Sequence, residues 1–196
     1  MKRVIVFDTE ATDLTPGQIC QISYLIVEKD SVVGKNFFFA VDDMSETAQE
    51  VHGMSREQVE ALSGGERFED RAEELFRDFS GADMLIGHNV AADDRYLRIE
   101  FERLGMKLKR IATFCTMNFF TSDANLKRKV NTGRPKPPKL SELAEYFALT
   151  EETISEKTAE WFGTGGRAHD ARYDTAATYL CVVEGTKQGK LRGVLP

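Results

Sequence analysis

The chain has 196 residues, 41% of them hydrophobic and 30% charged, which suits one globular domain (1–196) with a real core. No apolar run approaches the ~20 residues of a membrane-spanning helix, and a net charge of -6 leaves no overall basic surface to gather nucleic acid. Cys20, Cys115 and Cys181 are widely spaced without a CxxC pair, which argues against disulfides or a zinc site and for a reducing, cytoplasmic compartment.

In chain order, Arg3 to Phe7 alternates too little for an exposed strand and reads as a buried one. Thr15-Pro16-Gly17 marks a turn. Ile19 to Val27 and Val32 to Ala40 are rich in β-branched and aromatic residues, with Lys29-Asp30-Ser31 between them, so an antiparallel meander is expected. Ser45 and Ser55 are candidate N-caps of short helices. Phe68, Ala72, Leu75, Phe76 and Phe79 recur at helical spacing within Arg67 to Phe79. Met84-Leu85-Ile86 reads as a short strand, Ala91 to Leu104 as a helix stopped by Gly105, and Ile111 to Phe114 as another strand. Leu140 to Phe147 and the stretch from His169 to Val183 read as helices. Three strands followed by alternating helices and strands describe an α/β domain with a mixed sheet.

Five acid-base residues fall into three short blocks: Asp8 and Glu10 in VIVFDTE, Asp93 in GHNVAAD, and His169 and Asp174 in HDARYD. Asp8 and Glu10 are two apart on a strand, so they share a face with Val4 and Val6. Asp93 near a helix start could do no more than complement the helix dipole. His169 and Asp174 are five apart, which leaves them about 140° apart if both are helical. They converge better if His169 precedes the helix and Asp170 caps it. Carboxylate oxygens suit hard divalent cations such as Mg²⁺ or Mn²⁺. Two such ions ~3.5–4 Å apart can activate a water and stabilise a leaving oxygen. A histidine can take that water's proton.

These blocks resemble the motifs of DEDD-type 3′–5′ exonucleases of the DEDDh branch, the DnaQ-like family that includes the proofreading epsilon subunit of bacterial replicative polymerase. FDTEAT resembles the first motif, GHNVAADDRYL the second and HDARYD the third; VHGMS and KLSELAEYF resemble segments between them. The resemblance covers about Val4 to Val183 and implies an RNase H-like fold. It implies two divalent ions held by Asp8, Glu10, Asp93 and Asp174, with Asp8 bridging both, and His169 as general base. It places Thr9, Ala11, Leu14, His52 and Asn89 at the substrate, Leu14 as a wedge against the terminal bases and His52 and Asn89 in the pocket for the 3′-nucleotide. The implied partner is a nucleic acid with a free 3′ end, with a polymerase or other replication or repair protein as a second candidate. Ala11 and Asp13 replace a frequent Thr and Gly, Ala92 a frequent Phe, and Gln21 a frequent Glu; none is a metal ligand.

The epsilon-like VHGMS favours DNA as substrate, with RNA trimming or short-oligonucleotide hydrolysis as the alternative. A non-catalytic binding module of the same fold would be marked by a lost ligand, and none is lost. Residues 127–139, KRKVNTGRPKPPK, hold six basic residues and no acid. They read equally as a solvated loop or a phosphate-tracking arm. Gly163-Thr164-Gly165-Gly166 lacks the Lys-Ser/Thr of a P-loop and reads as a flexible loop before His169. Trp161 and Phe162 read as core.

Overall fold

The computed structural model describes residues 2–13, 17–124, 126 and 135–196. Strands β1 (Val4–Ala11), β2 (Ile19–Glu28) and β3 (Ser31–Phe38) form the expected antiparallel meander. Helices α1 (Glu46–His52), α2 (Arg56–Ser63) and α3 (Phe68–Ser80) follow, and Ser45 and Ser55 cap the first two as expected. Strand β4 (Met84–Gly87), helix α4 (Val90–Arg103) and strand β5 (Ala112–Cys115) come next. Helices α5 (Thr116–Ala124), α6 (Leu140–Tyr146), α7 (Glu151–Phe162) and α8 (Ala171–Lys187) complete the described chain. No helix among the described residues is long and apolar enough to cross a membrane.

The sheet order is β3-β2-β1-β4-β5, with β1 antiparallel to β2 and parallel to β4. This is the mixed α/β sheet that the order of strands and helices led one to expect. Alternation along β1 divides the core: Ile5 and Phe7 pack under α3 and α4, while Val4 and Val6 pack under α8 and its neighbours. Phe79 of α3 meets Phe7 edge-to-face at 5.2 Å, which fixes that helix on the sheet. On the other face the half-buried Trp161 packs edge-on against Tyr179 at 5.2 Å, against the core cluster there.

Two helices have no counterpart in the sequence reading. In α5 only Thr116 and Phe120 are buried, and in α7 only Ile154 and Thr158. Each pair is four apart, and one member is polar, so the apolar stripe that would reveal a helix is too thin. The expected α8 starts two residues later and runs four residues further, to Lys187. The turn at 15–17 lies largely outside the described residues, as does Leu14. Its ends are clasped: Thr12 N–H donates to the Gln18 carbonyl at 2.9 Å, and Gln18 N–H to the Thr12 hydroxyl at 3.0 Å. Residues 127–134 of the basic segment also lie outside the description. At its far end, Lys136 is spent on Glu142, with Nζ–Oε1 of 2.5 Å.

Candidate active site

The acids meet at the carboxyl end of the central strand, where an α/β sheet opens a crevice. Asp8 and Glu10 leave β1 on the α8 face. The register with β2 slips between Glu10 and Ala11, a bulge of the kind that re-aims side chains beside active sites. Asp174 comes from the first turn of α8. One oxygen each of Asp8, Glu10 and Asp174 lies within 4.8 Å of the others. Asp93 approaches from the other face, out of the first turn of α4. Its Oδ1 accepts from Thr9 N at 3.1 Å and from the Thr9 hydroxyl at 2.7 Å. Thr9 points oppositely to its neighbours on β1 and so ties the second acid to the strand that carries the first pair.

None of these four acids forms an ion pair among the described residues. Burial, then Asp174, Asp93 and Asp170, push Glu10 up to about 9. Burial, then Asp93, Asp174 and Glu10, raise Asp8 well above the carboxylate range. Burial lifts Asp174 to about 7 against the pull of the His169 N–H, with Asp170 and Asp93 adding to the rise. Burial lifts Asp93 to about 6, held down by the Thr9 hydrogen bonds. Converging oxygens that repel one another and lack a protein counter-charge fit a divalent cation.

His169 lies outside α8, as convergence required. It is exposed and left-handed at φ 65°, and its backbone N–H donates to Asp174 Oδ2 at 3.2 Å. Asp170 caps the helix, accepting from Arg172 N at 3.0 Å, and takes two further bonds from the Arg172 guanidinium. Gln21 anchors this junction from β2. Fully buried, it donates to Asp170 Oδ1 at 3.1 Å and accepts from Ala171 N at 3.3 Å. A glutamate there would set a second carboxylate against Asp170. Gln21→Glu is therefore expected to displace the His169 block and lower kcat by ~10–10²-fold. Adding Asp170→Asn, which exchanges donor and acceptor, should recover much of that loss. Steady-state rates of the two variants decide the point.

A cavity of about 160 Å³ adjoins Glu10, lined by Thr9, Ala11, His52, Tyr96 and residues of α1. Thr9, Ala11 and His52 thus line one cavity. Asn89 is not among the lining residues; it is exposed and left-handed at φ 73°, the position before α4. Tyr96 was missed by the sequence reading. It sits one turn after Ala92 on the same helix face, its hydroxyl donating to the Asp13 carbonyl at 2.7 Å, and supplies an aromatic wall near the one Ala92 lacks. His52 Nδ1 accepts from Met54 N at 3.1 Å, so its proton belongs on Nε2, which is buried without a partner. Burial and nearby His169 lower its pKa and keep it neutral. A larger cavity of about 540 Å³ lies on the other side of Asp174, walled by Leu140, Ala144, Leu149, Ile154 and Tyr173. His88 serves structure instead: Nε2–H donates to the Pro138 carbonyl and Nδ1 accepts from Thr116, both at 3.0 Å.

The family named RNase T, described as exonuclease, matches residues 5–181. The chain belongs to this exonuclease family. His169 ahead of Asp174 is the order that the resemblance to the DEDDh branch rests on. Solved structures with the same fold include E. coli exonuclease I with a dT13 oligonucleotide, at TM-score 0.73 and 17% identity, covering 97% of this chain and 42% of that one. The zinc-bound E. coli exonuclease I complex with single-stranded DNA matches at TM-score 0.73 and 16% identity, covering 97% and 42%. A further exonuclease I structure, one that addresses processivity, matches at TM-score 0.73 and 16% identity, covering 95% and 41%. This exonuclease therefore spans about two fifths of the chains it matches. No curated protein matches it.

Proposed function

We infer that this chain removes nucleotides from the 3′ end of single-stranded nucleic acid, DNA in preference to RNA, and releases nucleoside 5′-monophosphates. The observation that carries the reading is the convergence of Asp8, Glu10 and Asp174, with Asp93 tied to the same strand through Thr9 and the His169 backbone bonded to Asp174. Asp8, Glu10 and Asp174 would hold one Mg²⁺ or Mn²⁺, and Asp8 with Asp93 a second. Bound there, the ions supply Lewis-acid activation of water and neutralise charge on the leaving oxygen. His169 takes the proton of the attacking water. The in-line displacement then breaks the bond to the 3′-oxygen of the preceding nucleotide. The two cavities flank the carboxylates, so a strand laid across them puts one nucleoside on each side. The smaller cavity suits a single terminal nucleoside, with His52 in its wall. Single-stranded DNA is bound by the E. coli exonuclease I structures of the same fold, which supports that substrate here.

The test is an end-labelled assay on matched DNA and RNA strands, single and double, with Mg²⁺ or Mn²⁺. Single-stranded DNA should be shortened from its 3′ end to mononucleotides, and a 3′-phosphorylated strand should resist. Digestion of that blocked strand from its 5′ end would reverse the assigned polarity. Faster loss of RNA would replace DNA with the RNA-trimming alternative, and no cleavage of any strand would favour a binding module. Buried free Cys20 and Cys181 agree with a reducing compartment. A polymerase partner, suggested by the epsilon resemblance, gains no support from the fold or the comparisons.

A further inference from the structure

The glycine run before His169 has so far served only as a connector, and Arg167 at its end has no assigned role. The run is anchored at both ends. Gly163 closes α7 in the left-handed region at φ 78°. At Gly166 a Cβ would stand 3.1 Å from the Tyr173 Cβ, so the backbone there lies close on α8, one residue before Asp174 in the chain. From that root Arg167 reaches away from α8. Its Nη2 lies 3.1 Å from where a Cβ on Gly53 would stand.

Gly53 is the residue after His52, in the left-handed conformation at φ 74° that ends α1. His52 lines the small cavity, and its titration senses His169. Arg167 therefore spans the site: its backbone belongs to the lip that carries His169 and Asp174, and its guanidinium touches the lip that carries His52. Gly53 serves this crossing twice, through its positive φ and through the absence of a side chain where the guanidinium lies.

Arg167 is exposed and forms no ion pair among the described residues. Such a cation is usually a solvated surface charge. Here it lies two residues before His169 and against the residue that follows His52, in a chain of net charge -6. Asp8, Glu10 and Asp174 converge on one another, and the guanidinium lies against the backbone at Gly53, beside His52. An anion entering the site would meet the acids' cations on its inner side and Arg167 on its outer side. The planar fork of a guanidinium matches two non-bridging phosphate oxygens, which a lysine ammonium does not.

We propose that Arg167 is a substrate-binding residue that closes over the phosphate of the 3′-terminal nucleotide while its nucleoside occupies the small cavity. This rests on the exonuclease reading above, and it makes the site selective for a phosphorylated nucleoside. The test is binding of thymidine 5′-monophosphate and of thymidine to the full chain with Mg²⁺, by calorimetry. The wild type should bind the monophosphate more tightly than the nucleoside. Arg167→Ala should weaken the monophosphate by about tenfold, the scale of a lost charged hydrogen bond, and leave thymidine unchanged. Arg167→Lys should fall between. Because the side chain is exposed, the variants should melt with the wild type. An unchanged monophosphate affinity in Arg167→Ala overturns the proposal, as does failure of the wild type to bind the monophosphate. Equal losses for thymidine and its monophosphate also overturn it, by making Arg167 a prop of the cavity wall. If the wild type cleaves no strand yet shows the Arg167-dependent preference, the reaction fails and the phosphate contact stands.

Discussion

Asp8→Asn is expected to abolish cleavage, by ~10³-fold or more, yet to raise the melting temperature of the metal-free protein at pH 8. The first effect follows because Asp8 stands among Glu10, Asp174 and Asp93, and a lost Lewis-acid contact is worth several kcal/mol at ~1.4 kcal/mol per tenfold. The second follows from proton linkage. Folded Asp93, Asp174 and Glu10 titrate near about 6, 7 and 9, above the ~4 of an unfolded carboxylate. Between those limits the folded state binds more protons than the unfolded one, so stability falls as pH rises. Asn is neutral at every pH and needs no proton to be buried, so position 8 no longer contributes to that loss, and each kcal/mol recovered moves the melting temperature by ~2–4 °C in a chain of this size. Magnesium should stabilise the wild type most at high pH, with proton release on binding, and Asp8→Asn least. Scans at pH 5 and pH 8 with and without Mg²⁺ decide it. A variant that melts below the wild type in metal-free buffer at pH 8 would refute the electrostatic account.

His169→Ala is expected to lose ~10²–10⁴-fold in rate while keeping metal and substrate affinity. The ring of His169 is exposed, and its position is set by the backbone bond to Asp174. Alanine at φ 65° is strained, so His169→Asn, which tolerates that region, separates lost chemistry from lost conformation. Both variants should be equally slow if the imidazole takes the proton. Near-wild-type turnover in His169→Asn would move the base elsewhere.

Much of this site is readable from residue order because strand parity and helix starts are local properties. Parity put Asp8 and Glu10 with Val4 and Val6, and the α8 face is where they lie. The five-residue spacing of His169 and Asp174 required one of them outside the helix, and His169 is outside. What remained illegible depends on pairs far apart in the chain. Nothing local marks Thr9 as the partner of Asp93, or Gln21 as the anchor of α8, since these bonds span 84 and about 150 residues. Tyr96 was hidden because its role depends on where α4 lies against the 12–18 turn. Helices α5 and α7 were hidden because two buried residues each leave no visible stripe.

Strand β1 is hydrogen-bonded on both sides, while the His169 junction is an exposed stretch leaning on Gln21 and Asp174. Amides of β1 should exchange with solvent only on global unfolding, and those around His169 through small openings. In mild denaturant the proposed base would therefore be lost before the strand proposed to hold the ions, leaving a protein that would still take up metal but no longer turn over. Inactivation would precede the spectroscopic unfolding transition, and the gap between the two midpoints would measure how firmly Gln21 holds the helix that brings His169 to the acids.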